Sequence, residues 1–128
     1  MQYTYARLKS ILRKNQNPRL RESFGGQAND KFQMIDHAAP DDLEHRILAG
    51  ILRFPEVIED ALREFAPNTL ANYLYGLAKL ANEFYHSHPV LQEEDAEKKQ
   101  FRTALISGIS NTLKNGLYLL GIDAPEEM

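Results

Sequence analysis

Two side chains near the start of the chain, Tyr3 and Arg7, have the types and spacing to handle a nucleobase. They lie four residues apart in QYTYARLKSILRK, where Tyr3, Ala6, Leu8, Ile11 and Leu12 recur at helical intervals. A helix over residues 2–14 therefore puts ring and guanidinium on one face. That pairing suits a splayed-out RNA base, which stacks on the ring while the arginine meets its edge or a phosphate. The same spacing also fits a tyrosine that shields the core with the arginine laid over it. Tyr73 offers a second ring. It shares a stripe with Leu70, Leu77 and Leu80, and its hydroxyl needs water or a partner, which places it at the edge of a core.

The other reactive groups do not assemble a catalytic site. The chain has no cysteine, which excludes a thiolate nucleophile, a disulfide framework and a zinc finger. His86 and His88 are two apart, but no third ligand follows in the sequence nearby, so no metal site is expected. The carboxylate pairs Glu59/Asp60 and Glu93/Glu94 fall where helix starts and solvated faces are expected. There is no Gly-rich phosphate loop and no serine–histidine–carboxylate grouping. The expectation is a binding module without catalytic residues or a cofactor of its own.

These groups must be held by a single domain of 128 residues, 43% hydrophobic and 26% charged, which is ordinary for a globular protein. The longest unbroken apolar run lies around Leu117 to Leu120, too short for a membrane span or a secretory signal. A cytoplasmic protein without membrane contact is the expectation. The net charge of −3 speaks against indiscriminate nucleic-acid binding. Its distribution does not. Residues 1–21 carry Arg7, Lys9, Arg13, Lys14, Arg19 and Arg21 and no acid, while residues 22–128 carry nine basic and eighteen acidic groups. This asymmetry predicts an electropositive patch on an acidic body.

Apolar periodicity predicts four further helices and no strand, hence an all-α antiparallel bundle of about five helices. Asp41 with Glu44 forms a capping pattern before Ile47, Leu48, Ile51 and Leu52. Pro55 and Pro67 mark the starts of the next two helices. In the first of these, Val57, Ile58, Ala61, Leu62 and Phe65 are expected to share the buried face, and Asp60 and Arg63 to play a structural part on the polar side, as a salt bridge or a cap. In the second, an aromatic stripe includes Tyr73, Tyr75, Phe84 and Tyr85. The last helix carries Phe101, Leu105, Ile109, Leu113, Leu117 and Leu120, with Gly108 and Gly116 allowing close packing and Gly121 as its stop. The organisation is thus a helix at 2–14, a polar and flexible loop at 15–40, a helical core at 41–120 and a tail at 121–128.

Asp60-Ala61-Leu62-Arg63 spells the motif that names a domain family, and FPEVIEDALREFAPNTLANYLYGLAKLANEFY resembles the DALR anticodon-binding domain of arginyl-tRNA synthetases. The opening QYTYARLKSILRK resembles that family's Tyr-x-x-x-Arg first helix. The ending LYLLGIDAPEEM resembles its C-terminal pattern of Leu-Gly-Ile, Pro-Glu and a final Met. The resemblance spans nearly the whole of 1–128, least well over Asn15 to Asp41. It implies a C-terminal module that grips the anticodon loop of arginine tRNA, monomeric, beside a catalytic domain of the same polypeptide. That domain, absent here, would be an arginine-tRNA ligase using ATP and Mg; neither of the synthetase nucleotide-binding motifs occurs in this sequence. Carried onto matching positions, the resemblance implies tRNA contacts by Tyr3, Arg7, Tyr73 and Met128. One departure is Tyr5, where the family more often has histidine. The alternatives are the DALR domain of another synthetase, such as the glycyl β chain, and a helical protein–protein interaction module.

Overall fold

The computed structural model describes residues 1–15 and 40–126, so the predicted loop lies almost entirely outside the described residues, as does Met128. The described residues form five helices and no strand: α1 (Gln2–Asn15), α2 (Asp42–Leu52), α3 (Phe54–Arg63), α4 (Pro67–Ser87) and α5 (Ala96–Leu119). The all-α bundle expected from the sequence is what forms.

Local chemistry sets the ends of these helices. Asp41 accepts the Glu44 N–H at 2.9 Å and Glu44 accepts the Asp41 N–H at 3.0 Å, a reciprocal capping box at the start of α2. Asp95 accepts the Glu97 N–H at 3.0 Å and so caps α5. Pro55 and Pro67 lie in the first turns of α3 and α4, where a missing N–H leaves no bond unmade.

Cross-chain contacts fix the directions. Arg7 meets Tyr85 and Thr4 meets Asn82, so α1 runs parallel to α4. Asn15 donates to Thr103 at 2.7 Å and Gln2 to the Asp123 carbonyl at 2.7 Å, so α5 runs back along α1. Contacts from Glu44 to Arg102 and from Gly108 to Ile51 set α2 parallel to α5 and antiparallel to α4. Between these four helices Tyr5, Leu8, Ile47, Leu74, Phe84, Ile109, Leu113 and Leu117 are buried almost completely. Each contributes roughly 1.5–3 kcal/mol by leaving water.

The stripe assigned to α3 is only partly a core face. Val57 is buried, but Leu62 is 70% exposed and Phe65 93% exposed. Leu52, at the end of α2, is likewise in solvent. α3 is three turns long and lies along one side of α4, so only part of its apolar surface meets a neighbour.

Candidate nucleic-acid interface

Arg7 occupies the second turn of α1, on the side that faces the last turns of α4. Its guanidinium carbon is 4.7 Å from the centroid of the Tyr3 ring and 4.6 Å from that of Tyr85. A guanidinium nitrogen also donates to the Tyr3 hydroxyl at 3.0 Å. Two aromatic rings from two helices thus hold one cation, each by cation–π attraction. The position of Tyr85 follows from its neighbour: Phe84 is fully buried, and one residue on, the helix turns the next ring outward.

The rings stay accessible, Tyr3 at 59% and Tyr85 at 40%. They line a groove of about 510 Å³ together with Arg7, Arg13, Lys14 and Leu91. The C-terminal tail runs along α1 beside this groove. Glu126 lies 3.7 Å from the Lys9 ammonium, and its carbonyl accepts from Arg13 at 3.2 Å. A basic, aromatic cleft open to solvent can take planar bases on its rings and phosphates on its cations.

Tyr73 is elsewhere. It precedes Tyr85 by twelve residues of α4, about 18 Å along a helix. Its hydroxyl donates to the Gly50 carbonyl at 2.5 Å, and its ring stacks on Phe54 with centroids 6.0 Å apart. Desolvation pushes its phenol up to about 12. It borders a second, separate groove with Arg46 and Lys79. Of the residues singled out from the sequence, the fold therefore brings Tyr3 and Arg7 together and leaves Tyr73 apart. Tyr85 is the member that sequence reasoning missed, because only the crossing of α1 and α4 distinguishes it from other tyrosines on the stripe. Tyr5 belongs to the core: it is fully buried, and burial, aided by the Glu126 charge, raises its phenol above the ordinary value.

His88 has neighbours that lie far from it in the sequence. The fold supplies His88 with the neighbours that the sequence nearby did not, since Asp41, Glu44 and His88 offer ligand atoms within 4.8 Å of one another. Those atoms already have work. Asp41 caps α2 and bonds His88, while Glu44 closes the capping box and pairs with Arg102 at 3.0 Å. Arg102 also meets Glu93 at 2.7 Å. The bond from the Glu44 N–H, helped by His88, holds the Asp41 carboxyl below its ordinary range. The cluster ties α2 to the end of α4 and to α5, and the adjacent Arg102 disfavours a further cation.

The sequence matches the DALR anticodon binding domain family over residues 1–128. The chain belongs to that family. Among its relatives are the arginine–tRNA ligases of Ignicoccus hospitalis and Flavobacterium psychrophilum. Each is 38% identical over the whole chain, which covers 18% and 19% of their lengths. The arginyl-tRNA synthetase of Thermus thermophilus has the same architecture. The match has a TM-score of 0.76 and 31% identity over 99% of this chain and 20% of that one. The DALR domain here thus spans about a fifth of the proteins it resembles, matching their C-terminal region. Among the described residues, no helix of the domain is long and apolar enough to cross a membrane.

Proposed function

We propose that this DALR domain holds the anticodon stem-loop of arginine tRNA in the groove between α1 and α4, for charging by a catalytic domain of the same polypeptide. The observation that carries this reading is the Arg7 guanidinium held between the exposed rings of Tyr3 and Tyr85. Its planar charge is pre-positioned, so little side-chain freedom is lost when a base edge or phosphate arrives. Bases of the loop stack on the outer faces of the rings, and Arg13 and Lys14 follow the backbone. Met128, two residues beyond Glu126, is assigned to the same loop, and Tyr73 to a contact further along the tRNA. ATP and Mg belong to the catalytic domain. The relatives named above are arginine–tRNA ligases, which favours arginine over the glycyl alternative.

The test is tRNA binding by the wild type and by Arg7→Ala across a range of salt concentrations. Affinity should fall in the variant, and if a phosphate is contacted its salt slope should be shallower by about one. Arg7→Lys should keep the slope while binding less tightly, because an ammonium lacks the flat face that the rings hold. Equal affinity and slope in all three proteins would refute the assignment. Salt-independent binding would point instead to an apolar protein contact.

A further inference from the structure

The groove between α1 and α4 holds one charge of the wrong sign for a phosphate. Arg7, Arg13 and Lys14 line it from α1, and Glu126 lines it from the C-terminal tail, the only acid among the described residues that do so. A carboxylate repels the RNA backbone, so Glu126 needs a different counterpart.

Helical spacing explains how it comes to be there. Tyr3, Arg7, Ser10 and Lys14 recur every three or four residues and form the stripe of α1 that floors the groove. Gln2, Tyr5, Lys9 and Arg13 form the next stripe, and the tail lies along it. Gln2 donates to the Asp123 carbonyl at 2.7 Å and Arg13 to the Glu126 carbonyl at 3.2 Å, while the Lys9 ammonium stands 3.7 Å from a Glu126 carboxylate oxygen. α4 meets the other flank of α1, at Thr4 and Arg7. Tyr85 and Glu126 therefore stand on opposite sides of the groove floor.

The Glu126 carboxylate is held but not used up. Its side chain is 56% exposed, and Lys9 lies beyond hydrogen-bond length, so its oxygens accept no hydrogen bond among the described residues. An ionised carboxylate is an acceptor only and calls for N–H donors. Stacking on Tyr3 or Tyr85 uses the face of a base and leaves its edge to be read from the side. The donors on such an edge are the exocyclic amino groups of cytosine, adenine and guanine, which uracil lacks. We infer that Glu126 accepts a hydrogen bond from the exocyclic amino group of one anticodon-loop base, and so selects an amino-bearing base at that place. This rests on the tRNA reading of the groove, and it adds a residue that reads sequence to residues that stack bases and bind phosphates.

Anticodon stem-loops of arginine tRNA that each lack one amino group test the inference: inosine for guanosine, purine riboside for adenosine, or pyrimidin-2-one riboside for cytidine. On the wild type, one such change should weaken binding about tenfold or more. On Glu126→Gln the same change should cost only about threefold, because a bond to a charged acceptor is roughly twice as strong as one to a neutral amide. On Glu126→Ala it should cost nothing. Each ratio compares two ligands on one preparation, so the folded fraction cancels. Discrimination that persists undiminished in both variants overturns the inference, as does a wild type indifferent to every amino group. Equal weakening of all loops by Glu126→Gln would make the tail a latch only, and equal tightening would make Glu126 a source of repulsion only; either overturns it. If Arg7→Ala loses affinity while the Glu126 variants keep full discrimination, the groove stands and this inference alone falls. A wild type that does not bind the unmodified stem-loop refutes both.

Discussion

The Arg7 guanidinium lies 4.6 Å from the centre of the Tyr85 ring, a contact between the second turn of α1 and the last turns of α4. It exists because the two helices run parallel, which brings the first basic turns of the chain against the one tyrosine turned outward beside the buried Phe84. Folding and binding make different demands on the rings at this contact.

Tyr85→Ala and Tyr3→Ala should each cost about 1–3 kcal/mol of tRNA binding, the worth of one stacked base. Each should lose under about 1 kcal/mol of folding stability, since the rings are exposed and a surface cation–π contact contributes little. Melting temperature and tRNA affinity measured on the same preparations check this. Large losses of stability with normal binding by the folded fraction would return both rings to the core.

Tyr73 should matter to folding as well. Tyr73→Phe removes the bond to the Gly50 carbonyl and should cost about 0.5–1.5 kcal/mol of stability. Its tRNA affinity should stay unchanged, because the ring face remains. The folded phenol ionises at about 12, above the ordinary 10.0. Its contribution to stability is therefore complete below pH 10 and is lost as the pH climbs through 12. Ultraviolet titration of the wild type and Tyr73→Phe should show one late-ionising tyrosine missing from the variant.

Gly116→Ala tests the packing that fixes α5 against α4. An added Cβ would stand 2.4 Å from a Leu74 δ carbon, and Leu74 is fully buried. Forced repacking of this kind costs about 1–3 kcal/mol, to be read from denaturant midpoints. Gly76→Ala, with open space at its Cβ, is the control and should be neutral or slightly stabilising.

The features legible in the sequence were local ones. The capping box of Asp41 and Glu44, the proline starts of α3 and α4, the Gly121 stop and the Asp60–Arg63 pair each depend on residues a few positions apart. Tyr3 with Arg7 was legible for the same reason, being one helical turn. Tyr85 as their partner was not, nor was the linking of His88, Asp41, Glu44 and Arg102, because both arise where helices cross. Leu62 and Phe65 misled in an instructive way. Their spacing fits an apolar face, but spacing does not say how much of that face a neighbouring helix will cover.

Crosslinking from the anticodon loop of arginine tRNA, carrying a photoactivatable base and followed by peptide mapping, tests the central claim most directly. The account predicts crosslinks to residues 2–14 and to the segment around Tyr85, and their loss in Tyr3→Ala and Tyr85→Ala. Crosslinks confined to the end of α3 around Phe65, or to the separate groove of Arg46 and Lys79, would contradict it.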